Sequence, residues 1–357
     1  MNTPYAELKR DNQMLSSREY SAGLIHLQSL PRALFIELTQ GCNLKCPMCR
    51  ADIIAPHSAQ MSDALFDKIA ESLFATAELV DLRGWGESLI LPDILVRIEA
   101  VRRYEAALRI VTNLSFRRDE VLNALVDANA SIDFSLDTSD PALLAAIRSG
   151  SRLDLISRNV THILNRFGHP DALTMLVTIQ RPTIAKLPEL VQYAAELGVR
   201  RIRLFSVTAP DDSPLSLAHD APLLDAALAE SAEVASVHGV TLVAGTQLGT
   251  MPPNPPDLPT CIHPWAYCYI AFDGSVSFCD HLIGPGNAEY VVGNLNCAEF
   301  DDIWNGEGMK RIRSEHTHQR RSTAPQFSHC AWCYRSKYID FEERFDPALA
   351  GSIVRIA

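Results

Sequence analysis

Cys42-Asn43-Leu44-Lys45-Cys46-Pro47-Met48-Cys49 closely follows an apolar run, Leu34-Phe35-Ile36-Glu37-Leu38. The run reads as a short buried strand, so the three cysteines occupy the loop that leaves it. Their spacing is C-x3-C-x2-C. Three thiolates this close can hold three irons of a four-iron cluster. The fourth iron is then left without a protein ligand and open to chemistry, whereas a structural metal site normally uses its fourth position. The competing reading is a Cys-rich turn, or a zinc site lacking one ligand.

Outward from this stretch, strand-like runs alternate with amphipathic helices. Ser62 is placed to cap a helix whose apolar face is Leu65, Ile69 and Leu73. Residues 79–83 lead into Gly84-Trp85-Gly86-Glu87, and a helix over 93–106 follows. The run 108–111 ends at Thr112-Asn113. A helix over 118–127 leads to the alternating run 132–137, which contains Ser135 and Asp137. A long helix over 152–167, a strand over 175–179, a helix over 185–197 closed by Gly198 and a strand over 201–205 complete the series. Six β/α units with helical crossovers favour parallel neighbours, hence an α/β fold. Periodicity fits a partial barrel, a full barrel and an open sheet alike. In each geometry the C-terminal ends of the strands form the active face. The cysteine loop, Gly84 to Glu87, Asn113, Ser135, Asp137, Gln180, Arg181 and Ser206 all fall there, and burial alone does not require polar groups at that rim.

Residues 1–31 show no clear periodic element and read as an N-terminal arm. Residues 207–220 read as a loop, 221–237 as a helix and 240–243 as a candidate strand. Five prolines between 248 and 260 mark a linker. A smaller α+β domain is expected over 261–340, followed by a tail over 341–357. The smaller domain holds Cys261, Cys268, Cys279, Cys297, Cys330 and Cys333. Cys261 and Cys279 flank a hairpin with an Asp273-Gly274 turn, and the Cys330-x2-Cys333 pair closes a four-thiolate set from a distant segment. Such a set suits zinc and iron–sulfur equally, and the open-iron loop upstream tips the balance to iron. Cys268 and Cys297 remain, either as inert thiols or as a ligand or hydrogen donor. The nearby His263, His281 and His329 read as surface or supporting groups, and Trp85, Trp265 and Trp332 as packing.

The chain has 357 residues, is 47% hydrophobic and carries a formal net charge of -11. That is ample for a large domain plus a smaller one. The acidic balance gives no help in binding polyanions and argues against nucleic acid. No stretch reaches membrane-span length, and residues 1–11 lack the apolar core of a signal peptide. Nine cysteines without an export signal argue for metal in a reducing, cytoplasmic setting.

Cys42, Cys46 and Cys49 together resemble the cysteine loop of the radical S-adenosylmethionine (SAM) superfamily, with Met48 where that family usually has an aromatic residue. Arg83-Gly84-Trp85-Gly86-Glu87-Ser88 resembles its Gly-Gly-Glu-Pro motif, with Trp85 replacing the first glycine and Ser88 the proline. Cys261 through Pro264-Trp265, Asp273-Gly274 and Cys279 to Cys330 and Cys333 resembles the SPASM/twitch extension. The absence of a cysteine after Cys333 favours the twitch form with one auxiliary cluster, or a degenerate SPASM domain. The resemblance covers roughly residues 32–340.

It implies a partial (β/α)6 TIM-like barrel over 32–247, a [4Fe-4S] cluster that binds SAM at its open iron, and one auxiliary [4Fe-4S] cluster. Reductive cleavage of SAM would then yield a 5'-deoxyadenosyl radical that abstracts hydrogen from a C–H bond. A reductant such as flavodoxin or ferredoxin is implied. Glu87 would accept from the methionine ammonium, or else act as a helix-start carboxylate or an arginine partner. Ser135 and Asp137 would meet ribose or methionine, though Asp137 also suits a cap. Gly84, Gly86, Asn113 and Arg181 complete the cofactor-binding candidates. Oxidation, epimerisation and decarboxylation are all open outcomes, with Cys268 or Cys297 as the hydrogen donor for epimerisation. The short N-terminal arm and single auxiliary cluster point to a small carbohydrate, aminocyclitol or nucleoside-like substrate in antibiotic or other natural-product biosynthesis. The alternatives are a maturase acting on a ribosomal peptide and a decarboxylase of a sugar acid. Outside this class stands a zinc-binding or electron-transfer module.

Overall fold

The computed structural model describes residues 4–49, 59–168, 170–246, 248, 260–279, 290–318, 330, 331, 333 and 354–355. The alternating series of the sequence appears as α1 (Pro4–Ser21), β1 (Ala33–Ile36), α2 (Asp63–Leu73), β2 (Leu79–Asp81), α3 (Ile94–Arg103), β3 (Ala107–Thr112), α4 (Asp119–Asp127), β4 (Ser131–Ser135), α5 (Pro141–Ile147), α6 (Leu153–Phe167), β5 (Leu173–Ile179), α7 (Leu187–Glu196), β6 (Arg201–Ser206), α8 (Ala221–His238) and β7 (Thr241–Ala244). The C-terminal part adds α9 (His263–Ala266), β8 (Tyr267–Ile270), β9 (Ser275–Ser277), β10 (Gly293–Asn294), α10 (Phe300–Trp304), α11 (Glu307–His318) and β11 (Val354–Arg355). Ser62 caps α2 as its sequence requires, its hydroxyl accepting from Leu65 N–H at 3.2 Å.

The strands form one sheet in the order β10-β9-β8-β1-β2-β3-β4-β5-β6-β7-β11. Neighbours from β1 to β7 are parallel, with a helix in each crossover. The fold is therefore the α/β partial barrel expected, with β7 as a seventh parallel strand. The Asp273-Gly274 hairpin forms, Gly274 taking φ +84° at its turn. Its first strand, β8, also pairs in parallel with β1, Leu34 opposite Cys268. The C-terminal part thus continues the barrel sheet. The two described residues of the tail, β11, pair with β7. Most of the 248–260 linker lies outside the described residues.

Alternation divides each strand between two faces. Leu34, Ile36, Val80, Ile110, Ile132, Met175, Val177, Ile202 and Leu204 belong to the apolar cluster beneath the helices. The inner face carries Phe35, Asp81, Arg109, Asp133 and Arg203, all buried. Arg109 donates to Asp133 at 2.9 Å through Nε and also through Nη2.

Within the N-terminal arm, Pro4–Ser21 form the helix α1. The buried residues of α1 are Lys9, Asn12, Ser16 and Glu19. Lys9 Nζ donates to Phe74 O at 2.7 Å and Ala77 O at 2.6 Å, satisfying carbonyls just beyond α2. Glu19 accepts from Gln28 N–H at 2.7 Å. Its buried stripe is polar, so no hydrophobic period marks it.

Candidate active site

The cysteine loop is held against the segments that follow β2 and β3 and against the turn after α5. Gly86 N–H donates to Thr39 O at 3.2 Å and Glu87 N–H to Gly41 O at 2.9 Å. A Cβ on Gly86 would lie 2.4 Å from Gly41 O, and one on Gly84 would lie 2.5 Å from Glu37 Cγ. Gly86 is therefore fixed by close backbone approach to the loop, and Gly84 by the Glu37 side chain packed against it. Glu37 itself accepts from Trp85 N–H at 3.0 Å and Gln40 Nε2 at 3.2 Å.

Glu87 is buried and clamps the β2 loop to the end of β3. It accepts from Asn113 N–H at 2.7 Å, Thr112 Oγ1 at 2.8 Å and Leu89 N–H at 3.3 Å. Burial pushes its carboxyl up to about 7, against those three donors. Its carboxylate is thus engaged by this chain, which matches the helix-start reading: it caps the 3-10 turn Ser88–Ile90. Asn113 Nδ2 donates to Asn43 Oδ1 at 2.9 Å and lies 3.7 Å from Cys42 Sγ. Asn43 Nδ2 in turn donates to Ser115 O at 2.9 Å.

On the opposite side of the loop, Lys45 N–H donates to Ser149 O at 2.9 Å. Asp137 is buried and accepts from Arg148 Nε at 2.7 Å and Nη2 at 3.1 Å, and from Thr178 N–H at 2.8 Å. Burial opposes the Arg148 charge, but Asp137, Cys46 and Cys49 outweigh it and raise its pKa. Ser135 ends β4 at the same rim, half-buried.

Three candidates stand away from the cysteine loop. Arg181 is 58% exposed and pairs with Asp220 at 3.2 Å, which turns it towards the loop before α8. Cys268 is fully buried in the helix-facing core, on the same strand face as its register partner Leu34. A thiol on that face has no access to the inner face. Cys297 is exposed on the turn after β10, three strands from β1 in the sheet. Trp265 is buried and donates from Nε1 to Leu24 O at 2.8 Å, a packing role. Trp332, His281 and His329 lie outside the described residues.

Arg148, Glu37 and the 149–150 turn were not singled out by the sequence. Arg148 follows the short helix α5 as its C-cap, outside any periodic element. Glu37 interrupts an apolar run. That interruption is the one signal that could have found it, because a charge inside a strand needs partners.

The thiols suit a cluster chemically. Burial pushes Cys42 up to about 11 and also raises Cys46, where Arg148 opposes it. Such thiols stay protonated until a metal displaces the proton. Among the described residues no three Cys, His, Asp or Glu side chains converge as on a single ion. Three thiols on one short loop instead fit a cluster, in which each serves a different iron. In the C-terminal part, Cys279 and Cys330 both pack against the main core, and Cys330 and Cys333 are both helical. Burial pushes Cys330 up to about 12.

A parallel α/β partial barrel with a three-cysteine loop at the end of its first strand, wired to the segments after the next two strands and to the turn after α5, defines a class of cluster-bearing proteins. Residues 36–194 match the radical SAM superfamily, and residues 261–334 match SPASM, an iron-sulfur cluster-binding domain. The chain belongs to the radical SAM superfamily and carries a C-terminal SPASM/twitch-like domain. The first domain binds a [4Fe-4S] cluster and SAM, and the second binds auxiliary iron–sulfur chemistry. The chain is 28% identical over 173 residues to the tungsten-containing aldehyde ferredoxin oxidoreductase cofactor-modifying protein of Pyrococcus furiosus, across 46% of this chain and 49% of that protein. It is 26% identical over 182 residues to PqqA peptide cyclase of Gluconobacter oxydans, across 50% of each. The matches span about half the length of these curated relatives. Streptococcus suis SuiB bound to S-adenosylmethionine superposes with TM-score 0.64 at 17% identity, over 84% of this chain and 72% of that one. Native anSMEcpe with bound AdoMet gives 0.64 at 14% identity, over 86% and 89%. These structures share the fold.

Proposed function

We propose that this protein is a radical SAM enzyme that modifies a peptide. The observation that carries the radical chemistry is the loop itself: Cys42, Cys46 and Cys49 at the end of β1, braced by Asn113, Glu87 and the Arg148–Gly150 turn. When bound, the cluster supplies one electron to cleave SAM and generate the hydrogen-abstracting radical. The chain's own part is to hold three thiolates, leave one iron free, and orient the ligands at the rim. Gly84 and Gly86 keep the backbone close beside the loop, and Asn113 steadies Cys42.

The peptide substrate is favoured by the PqqA peptide cyclases among the curated relatives, two of which match about half of this chain. SuiB, which shares the fold, has been solved with its precursor peptide SuiA. The small carbohydrate-like substrate expected from the short N-terminal arm has no comparable support. Pro4–Ser21 of that arm form a helix packed on the barrel, and the arm's length says little about what binds. The auxiliary cysteines Cys261, Cys279, Cys330 and Cys333 would hold the second cluster, positioned to take up an electron after hydrogen abstraction. Ser135 remains a rim contact for the cofactor.

The test begins with anaerobically reconstituted protein. About eight irons and eight sulfides per chain are expected for two four-iron clusters, with reduction yielding 5'-deoxyadenosine from SAM. Cys46→Ala should abolish that cleavage, and unchanged turnover would defeat the radical reading. Co-expression with short peptides encoded beside the gene should then yield a peptide that has lost hydrogen or gained a cross-link. Modification of a sugar but of no such peptide would overturn the substrate assignment.

A further inference from the structure

The turn between α5 and α6 is built onto the cysteine loop. Lys45 N–H bonds Ser149 O at 2.9 Å. Gly150, at φ +95°, packs so that a Cβ would stand 3.4 Å from both Asn43 O and Leu44 Cδ2. Arg148, one residue before the Ser149 bond, is therefore fixed relative to the loop through its backbone. Its guanidinium is fixed as well: Asp137 takes it bidentately, and Thr178 N–H holds Asp137 from the adjacent strand. The Arg148 side chain is 12% exposed and that of Asp137 is fully buried. The loop thus has a rigid, buried cation on one side. On the other, near Cys42, it has the buried carboxyl of Glu87. The Arg148 charge acts on the Cys46 thiol, and Asp137 opposes it.

We propose that Arg148 sets the reduction potential of the cluster carried by Cys42, Cys46 and Cys49, with Asp137 as the residue that positions and partly neutralises it. This rests on the radical SAM reading above. Reduction adds one electron to the cluster and no proton; the electron comes from a one-electron reductant of the flavodoxin or ferredoxin type. A fixed positive charge in a poorly solvated site favours the more negative, reduced state, and its effect is large because little water screens it. The Arg148–Asp137 pair therefore has a role beyond joining β4 to α5. It makes the first electron easier to accept.

The test is a redox titration followed by electron paramagnetic resonance on anaerobically reconstituted full-length protein, with dithionite as reductant and without SAM. The signal that changes when SAM is afterwards added identifies the cluster on this loop. Arg148→Gln should disfavour reduction at least tenfold, which is 59 mV for one electron. Arg148→Lys, which keeps the charge, should restore most of that loss. Asp137→Asn should move the potential the other way, because the guanidinium is then less neutralised. General loosening of the site would move both variants in one direction, so opposite signs separate electrostatics from damage. A shift below threefold in Arg148→Gln, or shifts of the same sign in both variants, overturns the proposal. If the parent loads its clusters and cleaves SAM while the potential stays put, only this inference falls. If the parent loads no cluster, the radical reading falls with it.

Discussion

Arg109 and Ile110 are neighbours on β3 and face different surroundings. Ile110 points into the apolar layer under the helices, with Ile132 on one side and Val80 nearby. Arg109 points to the inner face, where it meets Asp133 and comes within 3.6 Å of Asp81, itself bound by Arg83. The outer face is chosen for transfer from water and does its work without specific geometry. The inner face buries charge, which costs free energy unless each group is paired, and a well-packed apolar lining would be at least as stable. Stability therefore explains one face of the sheet and leaves the other to function. The inner face lies beneath the rim that carries the cysteine loop, and its fixed charges are suited to orienting polar ligands there.

The sharpest way to break this comparison is to remove one charge and then its partner. Arg109→Met takes the guanidinium away from the buried Asp133 carboxylate and should destabilise the protein by about 3–5 kcal/mol, read from urea denaturation. Arg109→Met combined with Asp133→Leu strands nothing at that contact and should recover most of the loss. Substrate modification should stay impaired in the double variant even though stability returns. If the single variant costs no more than a surface change, the inner charges are better solvated than their burial indicates, and the contrast between the faces collapses.

Glu87 tests the same contrast with pH, smaller in size. Its carboxyl is raised from 4.5 to about 7 in the folded protein, chiefly by burial. Between those values the folded state holds a proton that the unfolded state has lost, so stability falls as pH rises. The contribution is fully present below the unfolded value and is gone above the folded one. Glu87→Gln should flatten that slope. Comparing urea midpoints near about pH 5 and about pH 8, the parent should lose about 1–3 kcal/mol more than the variant. An equal loss in both proteins would mean that other groups carry the dependence.

The outer face was also the part legible in the sequence. Alternating apolar residues located β1 to β6 and the helices that cross between them, because one face of each element obeys a period. The cysteine loop was legible for a different reason: spacing on a loop needs no tertiary context. What escaped had no period of its own. The buried stripe of α1 is Lys9, Asn12, Ser16 and Glu19, each bonded to backbone groups outside the helix, so its burial is invisible to hydrophobic patterning. The pairing of β8 with β1 joins residues more than two hundred apart, and nothing local specifies it. Arg148 reaches the cysteine loop only through a tertiary turn. Residue type and sequence neighbourhood point Cys268 to the site, whereas strand parity, which they do not reveal, sets it on the core face opposite Leu34.

The smallest effect is expected where the comparison predicts least connection to function. Ile110→Val removes one methylene from the fully buried outer face. The loss should be about 0.5–1.5 kcal/mol, seen as a lower urea midpoint with an unchanged slope. Because the side chain points away from the inner face, cluster loading and cleavage of SAM to 5'-deoxyadenosine should match the parent at a temperature where both are folded. A change in cleavage would show that packing under the helices reaches the rim through β3. It would do so at Thr112 and Asn113, which end that strand and hold Glu87 on one side and Cys42 on the other. The strand is short enough for a shift at Ile110 to be felt there, so the measurement has real power to blur the two faces into one.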